Sequence, residues 1–270
     1  MGAVVSGSAA KGDRPLALVT GASGGIGAAC CRDLARAGYR IAIHYNRNRA
    51  AAEALAEELK EIARSSGSAE RELASPAEPL LIAADLSTRE GCDQVYEAIK
   101  NETAPLEVLV NNAGLVRDNP LFSATLDELE DTLRLNVHGT WYLSKRLARL
   151  MIRERRGRMI NISSVVGSTG NPTQSVYGMT KAAIDNFTKV AAQELAGYGI
   201  LVNGVAPGFI DTEMTRDLGE EARAKLLERI PLGRMGRPEE VAEVVRFLAT
   251  AGGYITGTTI HANGGLYGGA

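Results

Sequence analysis

The chain has 270 residues, of which 45% are hydrophobic and 23% are charged, and its formal net charge is −2. This composition is typical of a globular protein with a large core, and the small net charge gives no indication of a nucleic-acid or membrane partner. The three cysteines and three histidines have no metal-binding spacing. We therefore expect no metal site, no structural disulfide and a reducing, cytoplasmic compartment.

Residues 1–14 are small and polar, lack the apolar core of a secretory signal and are predicted to form a disordered tail. No run of 18 apolar residues occurs, so no transmembrane helix is predicted. The composition does not change along residues 15–270, which predicts one folded domain.

The first predicted strand, 16–20, leads into the glycine-rich turn GASGGIG (21–27) and a helix that ends near residue 37. Backbone amides at the start of such a helix bind phosphate, and glycine lets a cofactor approach closely. The spacing GxxxGxG differs from the usual GxGxxG and alone would also fit a flexible turn. Its place between a strand and a helix favours a dinucleotide site.

The second predicted strand, 40–45, is followed by the sequence NRNR, and no Asp or Glu occurs between residues 34 and 52. An acidic residue here would bind the ribose of NAD, whereas an arginine accommodates the 2′-phosphate of NADP. The sequence therefore predicts NADP(H) as the cofactor, with Arg47 as the first candidate contact. The alternative is a basic helix start that binds no ligand.

The middle of the chain continues the alternation, with predicted helices at 50–64, 88–101 and 126–153 and predicted strands at 80–84, 106–110 and 158–162. A long loop, which includes an insertion around 68–79, precedes the third strand. The fourth strand ends in the small and amide residues NNAG (111–114), which suit a wall against a ligand. The long helix contains Asn136, whose side chain is expected to bond backbone or water.

Four polar side chains follow the fifth strand: Ser163, Ser164, Tyr177 and Lys181. A helix predicted over 174–195 places the tyrosine and the lysine on one face, four residues apart. An ammonium group near a phenol favours the phenolate, which predicts a lowered pKa for Tyr177 and a useful acid or base near neutral pH. A YxxxK pair alone also occurs on ordinary solvated helices.

The chain ends with a strand at 200–205, a Pro207-Gly208 turn, a segment rich in proline, glycine and charge at 209–237, a helix at 238–249 and a strand at 258–261. The predicted fold class is therefore α/β. We expect a single, doubly wound Rossmann-like domain with a mainly parallel seven-stranded sheet and helices on both faces. The prolines, glycines and charges of segment 209–237 are typical of a mobile element.

Read in order, six motifs resemble those of the short-chain dehydrogenase/reductase family, from about residue 15 to residue 267. They are TGASGGIG, NNAG, ISS before VVG, YGMTK, PGFIDTEMT and ITGTTIHANGG. The most similar subgroup is the 3-oxoacyl-(acyl-carrier-protein) reductases, through SSVVGSTGNPTQSVYGMTKAA and IPLGRMGRPEEVA. The resemblance implies NADPH-dependent reduction of a 3-oxoacyl thioester in fatty acid synthesis, by a homotetramer. Alternatives are a family oxidoreductase of another ketone, alcohol, sugar or steroid, and a nucleotide-binding protein without turnover.

The same resemblance implies roles for individual residues. The family's serine precedes its tyrosine by about thirteen residues, which selects Ser164 over Ser163. Ser164 would bind the substrate carbonyl, Tyr177 would donate its proton, and Lys181 would bind the nicotinamide ribose and keep the tyrosine pKa low. Asn136 would hold a water that links the lysine to solvent.

The implied cofactor contacts fall into groups. The pyrophosphate would be held by Gly21, Ser23, Gly25, Ile26 and Gly27. Adenosine would be flanked by Asp85, Leu86, Asn112, Ala113 and Gly114. The nicotinamide side would be closed by Pro207, Gly208, Ile210 and Thr212, next to Tyr177 and Lys181. The resemblance also implies that segment 209–237 is a lid over the substrate.

Two positions depart from the reductase subgroup. Gly24 stands where many members carry an arginine, so Arg47 is expected to contribute more to binding the 2′-phosphate. Tyr198 stands where a basic residue often serves the acidic carrier protein. The arginine cluster RERRGR (153–158) is predicted to supply that basic surface near the rim of the active site.

Overall fold

The computed structural model describes residues 14–65, 78–212 and 219–268. Seven strands follow the predicted order: β1 Leu16–Val19, β2 Arg40–Tyr45, β3 Leu80–Ala83, β4 Leu106–Asn111, β5 Gly157–Ile162, β6 Ile200–Pro207 and β7 Thr259–Ala262. The helices are α1 Gly25–Arg36, α2 Arg49–Ser65, α3 Arg89–Lys100, α4 Leu126–Leu133, α5 Thr140–Glu154, α6 Val166–Thr169, α7 Ser175–Leu195, α8 Glu220–Glu228 and α9 Pro238–Thr250. Strand bounds agree with the predictions to within two residues.

The strands form one sheet in the order β3-β2-β1-β4-β5-β6-β7, and every pairing in it is parallel. The strand order reverses direction between β1 and β4, which is the switch point of a doubly wound sheet. The predicted α/β class and seven-stranded sheet are therefore confirmed. Because all strands run the same way, their carboxyl ends lie at a single edge, where such folds bind ligands.

Two apolar clusters cover the two faces of the sheet. Alternate residues of β1 point to opposite sides, so Ala17 and Val19 join one cluster while Leu16 and Leu18 join the other. Helices α1, α2 and α9 contribute to the first cluster, and α3, α5 and α7 contribute to the second. A sheet buried on both faces explains why its strands read as continuous Val, Ile, Leu and Ala runs.

The predicted helix over 126–153 is interrupted. A π-helical turn at Arg134–Gly139 separates α4 from α5, and Asn136 lies within it. Such turns mark functional sites in many helices. Helix α6 was not predicted, because four residues are too few to show helical periodicity.

Several predictions fall on parts of the chain outside the described residues. The disordered tail and most of the 68–79 insertion are among them, and the candidate lid is described except for 213–218. Within the described part of the chain, no helix is both long enough and apolar enough to cross a membrane.

The prediction of a basic cluster at the active-site rim is wrong for the single chain. Arg158 is the second residue of β5, so the cluster lies at the amino ends of the strands, and β5 runs from it toward Ser164. Arg156 pairs with Glu107 at the start of β4, with 2.9 Å between Nη2 and Oε2, and Arg155 donates to the carbonyl of Gly197. The cluster therefore holds helix and strand ends together at the opposite edge.

Candidate active site

The glycine-rich turn sits at the carboxyl end of β1 and leads into α1. No side chain caps the start of α1 and its first turn carries no acidic residue, so backbone N–H groups and the positive end of the helix dipole stay available to an anion. Gly25 is exposed, Ser23 and Ile26 are half-buried, and Gly27 is buried. This donor set fits the diphosphate of a dinucleotide.

Two glycines of the turn are required by close packing. Gly21 has φ +62°, and a Cβ added there would lie 2.9 Å from Cα of Ala113. A Cβ on Gly27 would lie 2.4 Å from the carbonyl oxygen of Gly21. The turn is therefore pressed against the NNAG segment, and side chains at these positions would displace it.

Hydrogen bonds fix the turn to both neighbouring strands. Asn112 donates from Nδ2 to the carbonyls of Thr20 and Gly21, at 2.9 and 3.0 Å. The Thr20 hydroxyl accepts from the amides of Asn112 and Ala113. On the other side, Nδ1 of His44 accepts from the Gly21 amide at 3.1 Å. Sequence reasoning missed Thr20 and His44, although a histidine inside an apolar strand was a visible signal.

Arg47 is exposed just beyond β2, and no ion pair to it is found among the described residues. Arg49, two residues on, is instead paired with Glu53 at 2.7 Å. This difference agrees with the choice of Arg47 as the arginine that could meet a 2′-phosphate. Of the predicted adenine contacts, Leu86 is buried and Asp85 accepts hydrogen bonds from the amide and hydroxyl of Ser87, so its carboxylate mainly shapes the turn after β3.

Helix α7 brings Tyr177 and Lys181 together, with the lysine Nζ 5.6 Å from the centre of the phenol ring. Lys181 is buried and donates from Nζ to the carbonyl of Ile162 at 2.7 Å. Ser164 lies next to the Tyr177 phenol and acts to lower its pKa, whereas Ser163 donates to the carbonyl of Lys181. The serine thirteen residues before the tyrosine is thus the one that meets it.

The predicted lowering of the Tyr177 pKa is not what the chain shows. Burial raises the pKa of Tyr177, the hydrogen bond from Ser164 partly opposes this, and the Asp118 carboxylate adds to the rise. Burial also lowers the pKa of Lys181 to about 8, against the opposing effect of Asp185. The lysine cation is directed at a backbone carbonyl, so desolvation of the phenol dominates. The phenol accordingly stays protonated at neutral pH.

Asn136 uses its side chain to hold the segment after β4. Its Oδ1 accepts from the amide of Leu115 at 2.7 Å, and its Nδ2 donates to the Leu115 carbonyl and to the Thr180 hydroxyl. A Cβ added to Gly114 would lie 3.5 Å from Asn136 Oδ1 and 3.7 Å from Lys181 Nζ. The structure therefore brings Asn136, Gly114 and Lys181 together.

A buried polar network supports these residues from beneath. Asn111 donates from Nδ2 to Ser144 at 2.9 Å and to Asn161 at 2.8 Å, and Asn161 donates to Thr188 at 2.8 Å. Such satisfied networks fix one arrangement of the elements that share them. Here they tie β4, β5, α5 and α7 together directly below the site.

The segment after β6 closes the site from the other side. Val165 donates its amide to the Pro207 carbonyl at 2.9 Å, and Gly208 donates to the carbonyl of Ala262. Ile210 is buried and forms a parallel bridge with Gly236. Thr212 reaches the glycine-rich turn, because a Cβ on Gly25 would lie 3.0 Å from its Cγ2. The two predicted cofactor segments therefore converge.

A family model described as enoyl-(acyl carrier protein) reductase matches residues 21–267. A 3-oxoacyl-(acyl-carrier-protein) reductase of Synechocystis sp. is 40% identical over 253 residues, which are 93% of this chain and 96% of the relative. The chain belongs to the short-chain dehydrogenase/reductase family. Reductases with the same printed name from Staphylococcus aureus and Haemophilus influenzae are 41% and 40% identical, over 93% of this chain and 97% and 98% of theirs.

Within this family, a solved structure assigned as an NAD(P)-dependent gluconate 5-dehydrogenase from Beutenbergia cavernae, with bound NADP, matches with a TM-score of 0.83. It is 30% identical and covers 93% of this chain and 96% of its own. The predicted family and fold are thus confirmed. Since the relatives are named for different substrates, the shared scaffold does not by itself identify the substrate.

Proposed function

We propose that this protein reduces a 3-oxoacyl thioester, carried on acyl carrier protein, to the 3-hydroxyacyl thioester with NADPH. The observation that carries this proposal is the placement of Tyr177 beside buried Lys181, with Ser164 next to the phenol, at the sheet edge where the glycine-rich turn opens. The identity of about 40% to reductases named for this reaction, over 93% of the chain, supports the substrate class.

The carbonyl oxygen becomes an alkoxide during reduction, so donors must be aimed at it. NADPH, when bound, supplies the hydride. We assign Ser164 to hydrogen-bond the carbonyl oxygen and Tyr177 to give it a proton. Tyr177 holds its proton at neutral pH, as a donor must, and the alkoxide is basic enough to take that proton despite the raised pKa of the phenol. The phenolate that results is then stabilised by the neighbouring Lys181 cation.

The residues present fit a dinucleotide. The amides of Ser23 and 25–27 would hold the diphosphate, Arg47 the 2′-phosphate and Lys181 the nicotinamide ribose, while Gly21, whose own amide donates to His44, would border the diphosphate by shaping the turn. The other contacts proposed to border the cofactor are Asp85, Leu86, Asn112, Ala113, Gly114, Pro207, Gly208, Ile210 and Thr212. Lys181 has three donors and gives one to Ile162, which leaves two for ribose hydroxyls.

The return of a proton to Tyr177 requires a path from solvent. We propose that Asn136 positions a water for this path, through Lys181. Its support is that a Cβ added to Gly114 would lie within 4 Å of both groups, and that Asn136 lies in the π-helical turn, a feature frequent at functional sites. The substrate lid proposed for 209–237 would cover the same edge.

We further propose a homotetramer formed through α5, α7 and the β7 edge. Large apolar side chains lie exposed on the two helices, with Trp141 48%, Met179 55% and Val190 46% exposed. Exposed apolar groups along helix faces are typical of subunit contacts. Sedimentation should give four times the 28.6 kDa chain mass. The cytoplasmic location and the absence of nucleic-acid and membrane partners stay predictions.

The decisive assay compares substrates with one enzyme preparation. Acetoacetyl-acyl-carrier-protein should be reduced with NADPH far faster than with NADH. A 2-enoyl thioester tests the reaction named by the family model, and a 5-keto sugar acid tests the one named for the structural relative. Faster turnover of either of these would contradict the proposed substrate.

The chemistry is tested by Tyr177→Phe, which removes the proton donor but keeps the ring. We expect turnover to fall by about 10²-fold or more, as is typical for loss of a general acid, with NADPH affinity unchanged. Tyr198→Phe is the matched control, because Tyr198 is an exposed tyrosine just beyond the end of α7. Wild-type turnover in Tyr177→Phe would refute the mechanism.

A further inference from the structure

His44 is a buried polar residue in an otherwise apolar strand. It is 2% exposed and lies in β2, between Ile43 and Tyr45. Both ring nitrogens have partners: Nδ1 lies 3.1 Å from the Gly21 amide nitrogen, and Nε2 lies 3.1 Å from the Ala84 carbonyl oxygen. The imidazole therefore bridges the glycine-rich turn after β1 and the end of β3.

These partners specify one form of the ring. A backbone amide can only donate, so Nδ1 must be unprotonated, and a carbonyl can only accept, so Nε2 must carry the proton. The neutral tautomer protonated at Nε2 satisfies both contacts. Burial favours the neutral form and lowers the pKa of His44 to about 4, although the Ala84 hydrogen bond and the Asp85 charge oppose this.

The Gly21 contact acts on a single peptide plane. The carbonyl of the Thr20–Gly21 peptide accepts from Asn112 Nδ2 at 2.9 Å, on the β4 side. The amide of the same peptide donates to His44, on the β2 side. Gly21 itself has φ +62°, a conformation that glycine adopts freely and from which it can also escape freely. Two side chains from opposite neighbours thus fix the orientation that the residue alone would not keep.

We propose that His44 is a positioning residue for the cofactor: as a neutral acceptor it holds the Gly21 peptide, so that the following amides of the turn face the diphosphate. This inference rests on the proposed function. It differs from a purely structural role, in which His44 would only fill space and stabilise β2. The positioning role and the purely structural role can be distinguished, because amide side chains can replace the two ring nitrogens one at a time.

Two amide variants make that separation. The Oδ1 of Asn is bonded to Cγ, as Nδ1 of His is, so His44→Asn keeps the acceptor for Gly21. The amide of Gln lies one bond farther out, as Nε2 does, so His44→Gln keeps the donor for Ala84 and leaves the Gly21 amide unpaired. A buried unpaired amide is costly, so the turn should loosen in the Gln variant alone.

The first measurement is amide hydrogen exchange of the cofactor-free protein. The Gly21 amide should stay protected in His44→Asn and exchange at least about tenfold faster in His44→Gln. The second is NADPH binding by fluorescence titration. Kd should stay within about threefold of wild type in His44→Asn and rise at least about fivefold in His44→Gln.

Equal Gly21 exchange or equal NADPH affinity in the two variants would overturn the inference. If the Gly21 amide exchanges more slowly in wild type than in His44→Gln but wild type binds no NADPH, the proposed function fails. The positioning of the Gly21 peptide by His44 would still be supported. Should His44→Gln not fold, as judged by circular dichroism, His44→Leu takes its place as the variant without an acceptor. Loss of NADPH affinity in His44→Asn equal to that in His44→Leu would again refute the role.

Discussion

Replacing Gly27 with alanine should disrupt the glycine-rich turn, although glycine to alanine in a helix ordinarily stabilises by about 1 kcal/mol. The added Cβ would lie 2.4 Å from the Gly21 carbonyl oxygen, 2.7 Å from Asn112 Nδ2 and 2.9 Å from Cα of Ala22. Two of these atoms are backbone and the third is held by hydrogen bonds, so none can move alone. We expect a net destabilisation of about 1–3 kcal/mol, as for overpacked cores.

The displaced atoms belong to the turn that would hold the diphosphate, so NADPH affinity should also fall, by more than about tenfold. Urea unfolding measures the first effect and a fluorescence titration the second. Gly24→Ala is the matched control in the same turn, because the nearest atom to its Cβ is the Gly21 oxygen at 3.7 Å. If Gly27→Ala is as stable as wild type and binds NADPH equally well, the packing argument is wrong.

Two further predictions concern charge. Arg47→Ala should raise KM for NADPH about five- to tenfold, as expected for loss of one charge-assisted contact, and leave KM for NADH unaffected. The control Arg49→Ala removes the partner of Glu53 and should change neither KM. Equal effects of Arg47→Ala on both cofactors would refute the role of Arg47. The folded protein lowers the pKa of His44 to about 4, so the neutral imidazole contributes fully to stability only at a pH above its ordinary pKa. This contribution is lost as the pH falls toward 4. Relative to His44→Asn, wild type should lose about 2 kcal/mol of unfolding free energy between pH 7 and pH 5, and parallel pH profiles would contradict this.

Much of the fold could be predicted because each signal is local. The runs at 40–45 and 106–111 are apolar enough for a sheet buried on both faces, and glycine follows the first strand where a turn must reach a helix. The sequence could not reveal the π-helical turn at Arg134–Gly139 in the same way. This turn leaves the apolar face of the helix in place on either side, so the hydrophobic periodicity predicts one continuous helix.

The position of the arginine cluster shows a different limit. The cluster is near Ser164 in sequence, but residues 159–162 of β5 lie between them, and a strand rises about 3.3 Å per residue. Likewise, His44 was seen only as one of three scattered histidines. Its role depends on partners from two other strands, and one of them, Gly21, is 23 residues away. Pairings of that kind exist only once the sheet is assembled.

The tyrosine–lysine pair also changes meaning once its surroundings are known. Spacing alone suggested that the ammonium would lower the tyrosine pKa, yet the lysine Nζ bonds the Ile162 carbonyl and the phenol is governed by burial. A phenol with a raised pKa keeps its proton at neutral pH and can still donate it to a more basic alkoxide that forms beside it. Ser164 lies next to this phenol, so in the proposed mechanism both side chains act on one carbonyl oxygen. In the proposed mechanism, ketone reduction starts from the protonated phenol, whereas alcohol oxidation requires that Tyr177 first lose its proton.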